Sequence, residues 1–144
     1  MSAYDDIAAI VHPMPEPGDV PEDVFNDVCH DVDAARKELA FNLEMAWDAD
    51  SENEPLLSAI GAARYRKEQA EAEIRRLVAY GREFTRPRPY KLADLAAASG
   101  MSVSGVRTAY GHGDVAAVEQ TIGRKPREWR AISPDDPPEA GSEA

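Results

Sequence analysis

The stretch LADLAAASGMSVSGVRTAY, residues 92–110, has the residues that two short helices need if they cross steeply over a tight turn. Ala96 is small at the point where the first helix would pass beneath the second. Gly100, four residues later, can adopt the positive φ that ends a helix. Met101 supplies an apolar plug for the turn, and the Ser102 hydroxyl can cap the incoming helix. The stretch therefore predicts a helix, a tight turn and a second helix.

Three apolar residues of this stretch lie at positions that would face a common core. They are Leu92, Leu95 and Val106. Two positions depart from the helix-turn-helix pattern that this stretch resembles. Ser99 stands where alanine or an apolar residue is commoner, and Ala109 is smaller than the residue usually found there. We therefore expect Tyr110 to supply the packing that Ala109 lacks.

The spacing resembles the helix-turn-helix of bacterial repressors, including lac-repressor-type headpieces, in which an LA…GxSxxxV pattern is typical. The resemblance is carried by residues 92–110 and reaches no effector domain. It implies a second helix that lies in the major groove of double-stranded DNA. A fold alone does not establish a function. The DNA-binding hypothesis therefore depends on the side chains that would face outward.

If Ser102 caps the second helix, a set of side chains there points away from the core and toward bases. They are Ser102, Val103, Ser104, Arg107 and Thr108. Arg107 is the candidate for a bidentate guanine contact, an interaction that discriminates between bases by about 1–3 kcal/mol. A second set flanks the motif and is expected to contact phosphates whatever the sequence. They are Arg86, Arg88, Tyr90, Lys91, Arg124 and Lys125, with Arg127 and Arg130 beyond them.

The charge of the chain changes sign along its length, although the formal net charge is -11. Residues 1–60 carry fifteen carboxylates and two basic side chains, whereas residues 61–133 carry fourteen basic and eight acidic side chains. Residues 134–144 carry four acids and no base. Charges are screened beyond about 8–10 Å at physiological salt, so the basic segment can bind DNA despite the total. Ordinary solvated surface remains an alternative for both the acidic and the basic regions.

The pattern of prolines, apolar stripes and charges divides the chain into four predicted segments. Residues 1–20 are expected to form a flexible N-terminal arm with at most one docked turn, at Ile7–Val11, since Pro13, Pro15 and Pro17 interrupt any longer helix. The other three segments are an acidic helical hairpin over 21–81 that mediates dimerisation, a helix-turn-helix unit over 82–123, and a basic segment followed by a disordered acidic tail over 124–144.

Two amphipathic helices, over 21–49 and 55–81, would form the hairpin, because each has an apolar stripe and a polar loop joins them. Several large side chains lie off these stripes and need a further surface to pack against. These side chains are Phe25, Phe41, Trp47 and Tyr65. We expect a second chain to provide that surface in a four-helix bundle. The predicted fold class is all-α, with a long antiparallel helical hairpin followed by a compact helix-turn-helix unit.

No catalytic, cofactor or metal motif is evident, so we expect a non-enzyme with no cofactor and no metal. Adjacent Cys29 and His30 would point about 100° apart on a helix and cannot act as a nucleophile–base pair. The absence of long apolar runs and the single cysteine favour a cytoplasmic protein away from membranes, associated with the bacterial nucleoid when bound.

The leading hypothesis is a sequence-specific, homodimeric DNA-binding protein, either a transcriptional regulator or a plasmid or phage maintenance factor. The alternative is a protein-interaction adaptor whose acidic hairpin binds a polymerase, a sigma factor or a toxin. A third possibility is that the acidic arm or tail competes with DNA for the basic face, in which case deleting residues 134–144 would tighten DNA binding.

Overall fold

The computed structural model describes residues 2–126, and helices are the regular secondary structure in this range. The all-α fold class is therefore confirmed. The helices are α1 (Ala3–Val11), α2 (Phe25–Ala49), α3 (Pro55–Glu83), α4 (Leu92–Ser99), α5 (Val103–Arg107) and α6 (His112–Ile122), with a 3-10 turn at Glu22–Val24. The chain divides into unit 1, Met1–Arg66, and unit 2, Lys67–Ala144. Arg127, Arg130 and the predicted acidic tail lie outside the described residues.

Helix α1 corrects the prediction of a flexible arm over residues 1–20. Ser2 caps this helix, because its Oγ accepts a 3.2 Å hydrogen bond from the Asp5 amide. Asp5 Oδ2 in turn accepts a 3.1 Å bond from the Ser2 amide, which completes a capping box. The prolines of this region follow the helix rather than interrupt it. The arm prediction gave the prolines too much weight and overlooked the capping pattern of the first five residues.

Burial of an apolar face also holds α1 in place. Ile7 and Ala8 are buried, and α1 packs along α2. The Nε of Arg36, on α2, donates a 2.7 Å hydrogen bond to the His12 carbonyl, which satisfies the C-terminal end of α1. Residues 2–12 are thus part of the packed structure of unit 1.

The two long helices lie close to their predicted ranges. Pro55 starts α3, and the Asn53 side chain donates a 3.1 Å hydrogen bond to the Ala46 carbonyl near the end of α2. Leu57 and Ile60, apolar residues at the start of α3, are 67% and 56% exposed. Within unit 1, α1 packs along α2. The antiparallel hairpin predicted for residues 21–81 is not confirmed and stays a prediction.

Two small apolar clusters form the core of unit 2. The first contains Val78, Ala96 and Val106, which come from α3, α4 and α5. The second contains Ala79, Phe84 and Val118, which join the end of α3 to α6. Tyr110 packs against both clusters, as predicted from the small residue at 109. A small number of buried side chains thus joins the four helices of unit 2.

The loop that joins α3 to α4, residues 84–91, is bonded back onto α3. The Tyr90 amide donates a 2.9 Å hydrogen bond to the Gly81 carbonyl, and Arg82 Nη1 donates a 2.7 Å bond to the Tyr90 carbonyl. The buried Thr85 hydroxyl lies 2.9 Å from the Gly81 carbonyl and 3.1 Å from that of Arg88. These bonds fix where α4 begins relative to the end of α3.

Candidate nucleic-acid interface

The turn between α4 and α5 has the geometry predicted from residues 92–110. Gly100 adopts φ 77°, and its amide donates a 2.9 Å hydrogen bond to the Ala96 carbonyl. Ala96 itself is buried, and Met101 packs against the first core cluster. A left-handed residue at this position ends α4 within one residue and turns the chain sharply. Residues 92–107 thus form a helix, a turn with a left-handed glycine and a second, short helix.

Ser102 caps α5 as predicted. Its Oγ accepts a 2.9 Å hydrogen bond from the Gly105 amide. A Cβ added at Gly105 would lie 3.1 Å from that Oγ, so glycine leaves room for the cap. One turn further on, Val106 is fully buried and anchors α5 to α3 and α4. The helix is short, ending at Arg107, and the cap and the anchor together fix its position.

The side chains proposed to read bases all lie on the exposed side of α5. Val103 is 43% exposed, and Ser104, Arg107 and Thr108 are also exposed. The Ser104 hydroxyl lies 3.3 Å from that of Ser102, and the Thr108 hydroxyl donates a 3.3 Å bond to the Ser104 carbonyl. The hydroxyls therefore have local roles, which the sequence analysis did not assign to Ser104 and Thr108.

Arg107 differs from these neighbours in its electrostatic setting. Within residues 2–126, its guanidinium forms no hydrogen bond or ion pair with another side chain or with the backbone. The five donors of a guanidinium are strong hydrogen-bonding groups. The exposed face of α5 thus presents a cation whose donors are available to an external acceptor.

The flanking basic residues fall into two groups. Arg86, Arg88, Lys91 and Lys125 are exposed, and Tyr90 has an exposed ring on an anchored backbone. Arg124 is different, because its Nη1 donates a 2.8 Å hydrogen bond to the carbonyl of the buried Phe84. Its role in joining α6 to the end of α3 is structural and was missed by the sequence analysis. A contact between residues forty positions apart leaves no signal in the local sequence.

Helix α6 is capped at both ends. Gly123 ends the helix in the left-handed region at φ 77°. Asp114 lies three residues after the N-cap residue Gly111, and its Oδ2 accepts a 3.1 Å bond from the Gly111 amide. Asp114 also lies 3.8 Å from Arg75 of α3. The aspartate therefore closes the first turn of α6 and pairs with α3.

The described residues contain neither a metal-binding cluster nor a helix that could cross a membrane. Between residues 2 and 126, no group of three or more His, Cys, Asp or Glu side chains is arranged to hold a metal ion. In the same range, no helix has the length and apolarity that a membrane crossing requires. Comparison with known proteins found no matching family model and no significant match among curated proteins or solved structures.

Proposed function

We propose that the chain is a sequence-specific DNA-binding protein in which α4, the turn at Gly100 and α5 act as a helix-turn-helix. The observation that carries the proposal is the division of α5 into a buried and an exposed side. Val106 is fixed in the core, whereas Val103 and Arg107 face outward on a capped helix. Such a helix can be inserted into a major groove, with Arg107 as the base-reading donor.

The charges of unit 2 support the same proposal. Its described part, residues 67–126, carries ten basic and seven acidic side chains, whereas residues 2–66 carry four basic and fifteen acidic ones. Lys91 and Lys125 are exposed cations suited to phosphate contacts that set affinity rather than specificity. We assign the protein to transcriptional regulation or to plasmid or phage maintenance, as a homodimer in the bacterial cytoplasm and nucleoid.

A DNA-binding assay with two single-residue variants tests this proposal. A preferred duplex is first selected from genomic fragments, and its affinity is measured by fluorescence anisotropy over a salt series. Arg107→Ala should weaken the selected duplex by about 5- to 150-fold and change random-sequence DNA far less. Lys37→Ala, which removes an exposed cation of α2 in unit 1, is the control and should have little effect. Salt-independent binding, or equal losses in the two variants, would contradict the proposal.

One observation favours the adaptor function as a second candidate. Phe41 and Met45 lie four residues apart on α2 and are mostly exposed, with Glu38, Glu44 and Asp48 beside them in sequence. Aromatic and methionine side chains are enriched at the centres of protein interfaces. Under this function, Phe41→Glu would abolish capture of a basic partner protein by the full chain and leave DNA binding unchanged.

A further inference from the structure

Helix α3 carries an exposed seam with the spacing of a coiled coil. Its members alternate at steps of four and three residues, which keeps them on one side of a continuous helix. They are Leu56, Ile60, Ala63, Lys67, Ala70, Ile74 and Leu77. All are exposed except Ile74, which is partly covered by the first core cluster. Most of this seam therefore has no cover within the described chain.

We propose that this seam pairs with the same seam of a second copy of the chain, with the two α3 helices antiparallel. The pairing places Ile60 against the partner's Leu77, and Ala63 against the partner's Ile74. Each layer then brings apolar side chains together, and the alanines allow the two helices to approach closely. The inference deepens the homodimer part of the proposed function. It does not depend on DNA binding.

Lys67 decides the direction of the two helices. A parallel, in-register pair would bring the two Lys67 ammonium groups together at the centre of the seam, where like charges repel. The antiparallel pair instead places Lys67 against the partner's Ala70. The small alanine leaves room for the lysine stem, and the ammonium group can extend to solvent at the edge of the seam.

The charges beside the seam are complementary in the same register. Arg66 is exposed on the first half of the helix, and Glu73 is exposed on the second half. Antiparallel pairing about the midpoint between Lys67 and Ala70 brings Arg66 next to the partner's Glu73. The dyad repeats this pair on the other side of that midpoint, along the same edge of the seam. Two ion pairs thus favour the register that also buries the apolar residues.

Sedimentation equilibrium of the full-length protein tests the interface in the absence of DNA. A contact of one helix per chain lies at the small end of protein interfaces, so we expect dissociation in about the micromolar range. Ile60→Glu should yield a monomer that retains its helical circular dichroism, because the side chain is exposed. The matched control, Tyr65→Glu, changes another exposed side chain of α3 off the seam and should remain dimeric.

A charge exchange tests the register. Arg66→Glu alone should weaken the dimer by about tenfold, because the introduced carboxylate would face the partner's Glu73. The double variant with Glu73→Arg should recover most of the loss. A wild-type protein that is monomeric up to about millimolar concentration, or a double variant no stronger than the single one, would overturn the proposal. DNA anisotropy of the Ile60→Glu variant separates failure of this interface from failure of DNA binding.

A cysteine variant tests the direction. In a Cys29→Ser background, the antiparallel register separates Ala63 from the partner's Ala63 by about eleven residues along the axis, or about 16 Å. Oxidation of Ala63→Cys should therefore give no intermolecular disulfide. Rapid disulfide formation in the dimer would show that the helices are parallel and would overturn the proposed direction.

Discussion

The hydroxyl of Tyr110 donates a 2.6 Å hydrogen bond to Glu83 Oε2, which ties the segment after α5 to the last turn of α3. The ring of Tyr110 packs at the same time against both core clusters of unit 2. One side chain thus links the end of α3 to the region where α5 leads into α6. Val106, the buried residue of α5, lies four residues earlier in the same chain segment.

We expect Tyr110→Phe to lower the free energy of unfolding by about 1–2 kcal/mol. The ring keeps its packing, but a partly buried carboxylate loses a hydrogen-bond donor. Urea denaturation measures the change. Tyr65→Phe removes a hydroxyl from an exposed ring and serves as the control, with no expected change. Equal stability of the two variants would show that the bond to Glu83 contributes nothing net.

Gly105 and Ser102 should be strongly coupled in a double-mutant cycle. A methyl group at 105 would lie 3.1 Å from Ser102 Oγ and displace the cap, so Gly105→Ala should destabilise the protein by about 1 kcal/mol. In a Ser102→Ala background that oxygen is absent. The same substitution should then stabilise by about 0.5–1 kcal/mol through helix propensity. Urea unfolding of the four proteins gives the coupling, and additive effects would refute it.

Gly100 and Gly61 form a matched pair for the effect of backbone conformation. A Cβ at either residue would meet nothing within 4 Å, so packing does not distinguish them. Gly100 has φ 77°, and alanine there should cost about 1–2 kcal/mol. Gly61 lies within α3 without positive φ, and alanine there should stabilise by about 0.5–1 kcal/mol. Thermal unfolding of both variants is the measurement, and changes of the same sign would contradict the assignment.

Alanine substitutions of the adjacent Arg124 and Lys125 should distinguish a structural side chain from a surface charge. Arg124→Ala removes the donor to the buried Phe84 carbonyl and should lower stability by about 1 kcal/mol. Lys125→Ala changes an exposed side chain and should stay within about 0.5 kcal/mol of wild type. Chemical denaturation at high salt compares the two variants without a contribution from surface charge. A larger loss for Lys125→Ala would invert our assignment of the two roles.

The capping box of α1 predicts a dependence of stability on pH. Hydrogen bonds from the amide and hydroxyl of Ser2 lower the pKa of Asp5. A carboxylate with a lowered folded pKa stabilises the protein above its unfolded pKa, near about 3.9, and this contribution is lost as pH falls through the folded pKa. Carboxyl NMR titration should show the pKa rising in Ser2→Ala and staying low in Ser2→Thr. An unchanged titration in Ser2→Ala would rule out the Ser2 hydroxyl as a cause and leave the amide bond alone responsible.

Helix boundaries and the α4–α5 turn could be predicted from sequence because their determinants are local. The Gly100–Ala96 bond spans four residues and the Ser102–Gly105 bond spans three. The arm prediction for residues 1–20 failed where a local signal was available, since Ser2 and Asp5 form a capping box. Prolines after position 12 do not oppose a helix that ends before them.

The packing of the helices was decided by contacts that no local pattern encodes. Amphipathic stripes show that α2 and α3 each need a neighbour but do not identify it, and α1 packs along α2. The bonds from Arg36 to His12, Tyr110 to Glu83 and Arg124 to Phe84 span 24, 27 and 40 positions. The sequence alone determined the helices, their caps and the turn, because these depend on bonds within about four residues. Only the tertiary structure decided which helix faces pack together and which arginine side chains bond to the chain's own backbone. Those outcomes depend on competition among distant surfaces for burial.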